Sequence, residues 1–156
     1  MRLLNQIVIH CAATPPSMDI GAAEIDQWHL DRGWSGIGYH YVIKRSGTIQ
    51  HGRHIEKAGA HARGHNAHSV AVCLVGGVDE DNVPENNFSE AQFLSLEGIC
   101  VYLLDEYLDI MDIRGHRDFE GVTKACPSFD VKEDFLDKNW FIREEYEKRL
   151  RSITRQ

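Results

Sequence analysis

VAVCLVGG, residues 70–77, decides the fold. Six apolar residues in a row, closed by two glycines, suit a strand covered on both faces, since a strand with one wet face alternates. The run therefore predicts the central strand of a sheet packed between helices. QIVIHC (6–11) repeats the signal with β-branched residues and stops at AATPP (12–16), which predicts a second buried strand. It leaves His10 at the strand's carboxyl end, where sheets flanked by helices gather their ligands.

Outward from these strands the pattern switches repeatedly between helix and strand. Residues 22–32 place Ile25 and Trp28 at helical spacing with Glu24 in the first turn, and Gly33 supplies a left-handed stop. IGYHYVI (37–43) alternates, and RSGT (45–48) predicts a hairpin turn into a short strand ending near His51. AGAHARGHNAHS (58–69) has no apolar period and reads as a loop. Ser89-Glu90-Ala91-Gln92 is a capping box with Phe88 and Phe93 as its staple. Phe93, Leu96, Cys100, Leu103, Leu104 and Tyr107 then continue an amphipathic helix over the sheet. Residues 110–113 read as a short strand and 114–128 as irregular chain. After Asn139 as N-cap, residues 140–151 pair Glu144 with Lys148, Glu145 with Arg149 and Glu147 with Arg151, which predicts a solvated terminal helix.

A length of 156 residues suits one domain, and 42% apolar with 26% charged residues excludes a disordered chain. Seventeen basic against 24 acidic residues leave a net charge of −7, opposite in sign to a phosphate-binding footprint, so nucleic acid is excluded as a substrate. The four cysteines are too widely spaced for a disulfide framework and read as reduced thiols. Asn5 and Gln6 break the first apolar stretch before it reaches the length of a secretory leader, and no window is apolar enough to span a membrane. The chain is accordingly expected to be made in the cytoplasm, to insert in no membrane, and to act as a monomer. Asp79-x-Asp81 has the spacing of a calcium loop, but Pro84 stands where the sharp-turn glycine belongs, so a solvated loop is expected.

Nine histidines stand out. GHRDFEGVTKACPSF (115–129) offers His116 and Cys126 on irregular chain, and with His10 they would make two imidazoles and a thiolate. A catalytic zinc takes three such protein ligands and keeps a fourth position for water. His61, His65 and His68 form a rival cluster, but Gly59, Gly64 and Asn66 oppose the rigid helix that a ligating histidine pair prefers. That loop reads as substrate contact or exposed surface, with its histidines dispensable for holding a metal. His29, His40, His51 and His54 read as structural, as do Cys11, Cys73 and Cys100 on apolar faces. Spacing alone leaves open a structural His10 and a Cys126 that is a nucleophile or a small buried hydrophobe.

Four collinear segments carry a resemblance: IVIHCAAT (7–14), WHLDRGWSGIGYHYVIKRSGTI (28–49), GAHARGHNAHSVAVCLVGG (59–77), and GHRD (115–118) with TKACPSFD (123–130). In order and spacing they resemble the zinc-dependent N-acetylmuramoyl-L-alanine amidases of amidase family 2, above all the bacteriophage lysozyme-amidases, with peptidoglycan-recognition proteins as relatives. The resemblance implies an α/β (α+β) single domain whose central mixed sheet is flanked by helices. It implies one Zn2+ per chain on His10, His116 and Cys126, catalytic roles for Tyr39 and Lys124, and a place near the substrate cleft for His61. The implied reaction is hydrolysis of the bond between N-acetylmuramic acid and L-alanine in bacterial peptidoglycan, in a phage or prophage lysis enzyme that reaches the wall by a separate route. A non-catalytic peptidoglycan-binding module, a cytoplasmic muropeptide-recycling amidase and a thiol peptidase are the alternatives. No family motif extends into the tail, which divides the chain into an amidase domain over 1–138 and a helical extension over 139–156 that packs on or trails it.

Overall fold

Two buried six-residue strands form the middle of the protein, seen in a computed structural model that describes residues 1–155. Gln156, the last residue of the expected extension, lies outside them. In chain order the elements are β1 (Gln6–Cys11), α1 (Ala22–Asp31), β2 (Tyr41–Ile43), β3 (Ile49–His51), β4 (Ser69–Leu74), α2 (Glu90–Glu106), β5 (Asp112–Gly115) and α3 (Trp140–Thr154). A 3-10 turn over His116–Asp118 and a π turn over Val131–Leu136 precede α3. The sheet runs β3-β2-β4-β1-β5, with only the β2–β3 hairpin antiparallel. It is therefore the expected mixed sheet, and β4 lies at its centre.

Alternation along each strand divides the core. Ile7, Ile9, Val70, Val72 and Leu74 face α2, where Leu96, Ile99, Cys100 and Leu103 close over them. On the opposite face Val42, Cys73 and Val75 meet Ile25 of α1. Val8 shares that side with Ala62 and Phe119. Because side chains alternate, His10 follows Val8 to the α1 face and Ile9 stays with α2.

The capping box forms as expected, with the Gln92 backbone donating to Ser89 Oγ at 3.2 Å and the Ser89 backbone donating to Gln92 Oε1 at 3.0 Å. Gln92 does more than cap. It is fully buried, and its Nε2 donates to the carbonyls of Ile43 (3.2 Å) and Val75 (2.8 Å), tying α2 to the ends of β2 and β4. Phe88 and Phe93 meet edge to face and both pack on Phe129.

Three elements differ from the sequence pattern. The strand expected over 37–43 begins only at Tyr41, because the Gly38 backbone is engaged elsewhere: its N–H donates to His29 Nδ1 and its carbonyl accepts from Ala60. The strand expected over 110–113 is shifted to Asp112–Gly115, since Ile110 N–H turns back to Tyr107 and pairing with β1 starts at Gln6↔Asp112. The terminal helix does carry its three expected pairs, at 3.5–3.9 Å, but it is not solvated all round. Ile142 is buried, and Arg149 reaches under the helix to donate to the carbonyls of Tyr107 and Ile110. Asn139 takes the N-cap position without a side-chain cap bond.

Gln92→Ala takes the side-chain donor from the buried Val75 carbonyl, while the Ile43 carbonyl keeps the Val75 N–H, and such a loss costs about 1–3 kcal/mol. Urea unfolding of this variant should show a stability loss of about 1–3 kcal/mol with the m-value unchanged.

Candidate metal centre

Parallel pairing positions the first two residues of the site. β1 and β5 run side by side with Ile9 opposite Gly115, so the next residue of each, His10 and His116, emerge together at the carboxyl edge of the sheet. Their rings lie 4.7 Å apart between centroids. The third residue arrives on the irregular chain after the 3-10 turn. Arg117 N–H donates to the carbonyl of Cys126 at 2.8 Å, and Cys11 N–H donates to Cys126 Sγ at 3.3 Å, so the residue is held by the 3-10 turn after β5 and by the end of β1. Gly115 permits this approach, because a Cβ there would lie 2.8 Å from Pro127 Cδ and 3.1 Å from Val131 Cγ2.

The ligand atoms of His10, His116 and Cys126 lie within 4.8 Å of one another. His10 Nδ1 is 3.6 Å from Cys126 Sγ. Two ligands on one tetrahedral zinc, at about 2.0 and 2.3 Å from the ion, stand roughly 3.5 Å apart. The donor set and its spacing thus fit such an ion, with a side left open. Among the described residues this is the one cluster of three or more histidines, cysteines and carboxylates so arranged.

The surroundings keep the imidazoles neutral. Burial pushes His10 well below its ordinary range, with His61 and His116 adding to the effect, and burial followed by the nearby Lys124 ammonium lowers His116. Neutral rings keep a lone pair for a metal. In the metal-free protein the hydrogen bond shared with Cys11, together with burial, holds the Cys126 thiol up, so a proton must leave when a cation arrives. Tyr39 sits 5.0 Å from His10 between ring centroids, and burial raises its phenol well above the ordinary range, so it remains a proton donor.

A cleft of about 510 Å³ opens beside the cluster, lined by Trp34, His61, Arg63, His116, Val122 and Lys124 among others. Lys124 is exposed on its wall. The residues picked out in the sequence therefore come together: His10 and Cys126 behind His116, which lines the cleft, Tyr39 against His10, and Lys124 and His61 on the cleft wall. His65 instead stacks on Phe119 and His68 donates to Leu3, so the rival histidine cluster does not converge. His29 and His40 accept backbone N–H bonds from Gly38 and Ala71 as buried structural groups. Asp79 Oδ1 accepts from the backbone of Asp81 and Val83 in an exposed turn.

One contact was invisible in the sequence. His10 Nε2 meets His61 Nδ1 at 2.9 Å across 51 residues, and no local pattern signals such a pair. His61 thus lines the cleft and meets His10 at once.

Burial holds His40 at about 4 and His61 at about 3, against 6.5 in an unfolded chain. Between those values the unfolded chain binds protons that the folded chain refuses, so this stability is complete above the unfolded value and is lost as pH falls. Each histidine contributes about 1.4 kcal/mol per pH unit within that window. Urea unfolding of the metal-free protein should therefore show lower stability at pH 5.5 than at pH 7, whereas a flat profile would mean that these rings titrate freely.

A family model described as N-acetylmuramoyl-L-alanine amidase matches residues 2–129. The endolysin of Klebsiella phage KP32 is 42% identical over 142 residues, 91% of each chain. The endolysin of Escherichia phage T7 is 44% identical over 138 residues, 88% of this chain and 89% of its own. Among solved structures, the N-acetylmuramoyl-L-alanine amidase LysC from Clostridium intestinale URNW superposes with a TM-score of 0.74 at 32% identity, covering 88% of this chain and 85% of its own. With the fold, the cleft and the matched length in agreement, the chain belongs to the N-acetylmuramoyl-L-alanine amidase family.

Proposed function

We propose that this chain hydrolyses the amide between N-acetylmuramic acid and L-alanine of bacterial peptidoglycan, using one zinc ion held by His10, His116 and Cys126. The observation that carries it is the convergence of two imidazoles and a thiol beside an open cleft, in a chain of this family. Nitrogen and sulfur donors suit zinc, whereas calcium and magnesium take oxygen. When bound, zinc lowers the pKa of a water from 15.7 to roughly 7 and polarises a carbonyl.

The chain's own groups do the rest. His10 and His116 supply neutral nitrogens, and Cys126 supplies a thiolate that the Cys11 N–H helps to stabilise. Together these three residues would hold the ion next to the cleft, where the scissile carbonyl would enter. Lys124 brings a positive charge to the oxyanion as it develops. Tyr39, protonated and next to His10, orients the water or donates to the same oxygen. His61 at the cleft wall touches the substrate. The names of the phage relatives, both endolysins, support a role in lysis at the cell wall.

Incubation with purified peptidoglycan should release new L-alanine amino termini and no new reducing ends. Chelator should abolish the activity and zinc restore it; activity indifferent to chelator would point to Cys126 as a nucleophile and overturn the zinc mechanism.

Substitution separates holding the ion from using it. Cys126→Ser should lose zinc and turnover together. Tyr39→Phe and Lys124→Ala should keep the zinc and still bind cell wall while kcat falls about a hundredfold to a thousandfold, as when one oxyanion donor is removed. Zinc per chain and turnover, measured on the same preparations, check all three.

A further inference from the structure

The hydrogen bonds behind His10 form a directed chain whose sense follows from its far end. Ser69 Oγ lies 2.7 Å from the carbonyl oxygen of His65, and a carbonyl only accepts, so the hydroxyl proton points there. Ser69 Oγ then has lone pairs alone to offer His61 Nε2, 3.0 Å away, which must carry a proton. A neutral His61 with its proton on Nε2 has a bare Nδ1, and that atom faces His10 Nε2 at 2.9 Å. The proton between the two rings therefore belongs to His10 Nε2. His10 is left with a bare Nδ1, the atom that faces Cys126 Sγ.

Resting on the zinc assignment above, we propose that His61 is a positioning residue: with Ser69 it fixes His10 in the Nε2–H tautomer and so presents Nδ1 to the metal. This goes beyond a contact with substrate and reverses the sequence-based expectation that His61 is dispensable for metal binding. The opposite tautomer of His10 would aim a proton at the ion and forfeit the ligand.

The surroundings are built to hold the relay still. Asn66 Oδ1 accepts the backbone N–H groups of both His61 and Ala62 at 3.0 Å, which fixes the turn that aims the ring. Arg2 Nη1 donates to the carbonyls of Asn66, Ala67 and Ser69, pinning the loop to the first residue of β4. Gly59 leaves room for the imidazole, since a Cβ there would stand 2.6 Å from His61 Cδ2. A residue that only touched substrate would need none of this support from behind.

Two readouts on the full chain test the proposal. Long-range proton–nitrogen NMR of the metal-free protein should show His10 protonated on Nε2 and bare at Nδ1, and Ser69→Ala should convert His61 and His10 to tautomer mixtures. In competition with a chromophoric chelator, His61→Ala should bind zinc 10- to 100-fold more weakly, the range expected when a partner behind a metal ligand is lost. His61→Asn, whose Oδ1 replaces Nδ1 as acceptor, should recover most of that loss. Wild-type His10 protonated on Nδ1, or a His61→Ala protein that binds zinc within twofold of wild type, would overturn the positioning role while leaving the zinc assignment intact. A wild-type chain that binds no zinc would overturn both.

Discussion

The site depends first on the register of one parallel strand pair. Placing Ile9 beside Gly115 makes His10 and His116 neighbours at the carboxyl edge of the sheet, where backbone pairing ends and side chains meet the cleft. A shift of one residue would send His10 to the α2 face, among Leu96, Ile99 and Leu103, since strand side chains alternate. The apolar residues of β1 and β4, with Ile113 of β5, pack in one core at that register, so packing of the core and placement of the two histidines are one constraint.

The third donor is added by hydrogen bonds and close approach. Cys126 is held through its carbonyl by the turn that carries His116 and through its sulfur by the strand that carries His10. Gly115 beneath Pro127 makes the contact possible. Burial penalises the charged forms here, which keeps His10 neutral and the Cys126 thiol and Tyr39 phenol protonated. The Cys126 thiol must release its proton when a cation enters, which links the affinity of the site to pH.

The parts legible in the sequence were those encoded locally. VAVCLV and QIVIHC announced buried strands because a continuous apolar run leaves few other solutions, and Ser89 with Gln92 announced a helix start because the cap bonds span three residues. The mixed sheet and the family were legible through four collinear motifs, which no single spacing could supply. Where local pattern and tertiary bonding competed, the pattern misled: IGYHYVI alternates like a strand, yet His29 and Ala60 claim the Gly38 backbone and release Tyr39 toward His10. The π turn at Val131–Leu136 had no signature at all. His61 was placed at the cleft by its motif, but its bond to His10 joins a loop to a strand 51 residues away and exists only once β1 and β4 are paired.

The proposed chemistry requires a metal bound by two nitrogens and one sulfur at the edge of this sheet. X-ray absorption at the zinc edge of the loaded protein reads that shell directly. It should show one sulfur at about 2.3 Å and nitrogen or oxygen ligands at about 2.0–2.1 Å, with the sulfur lost in Cys126→Ser. A shell without sulfur in the wild-type chain, or one unchanged by that substitution, would contradict it.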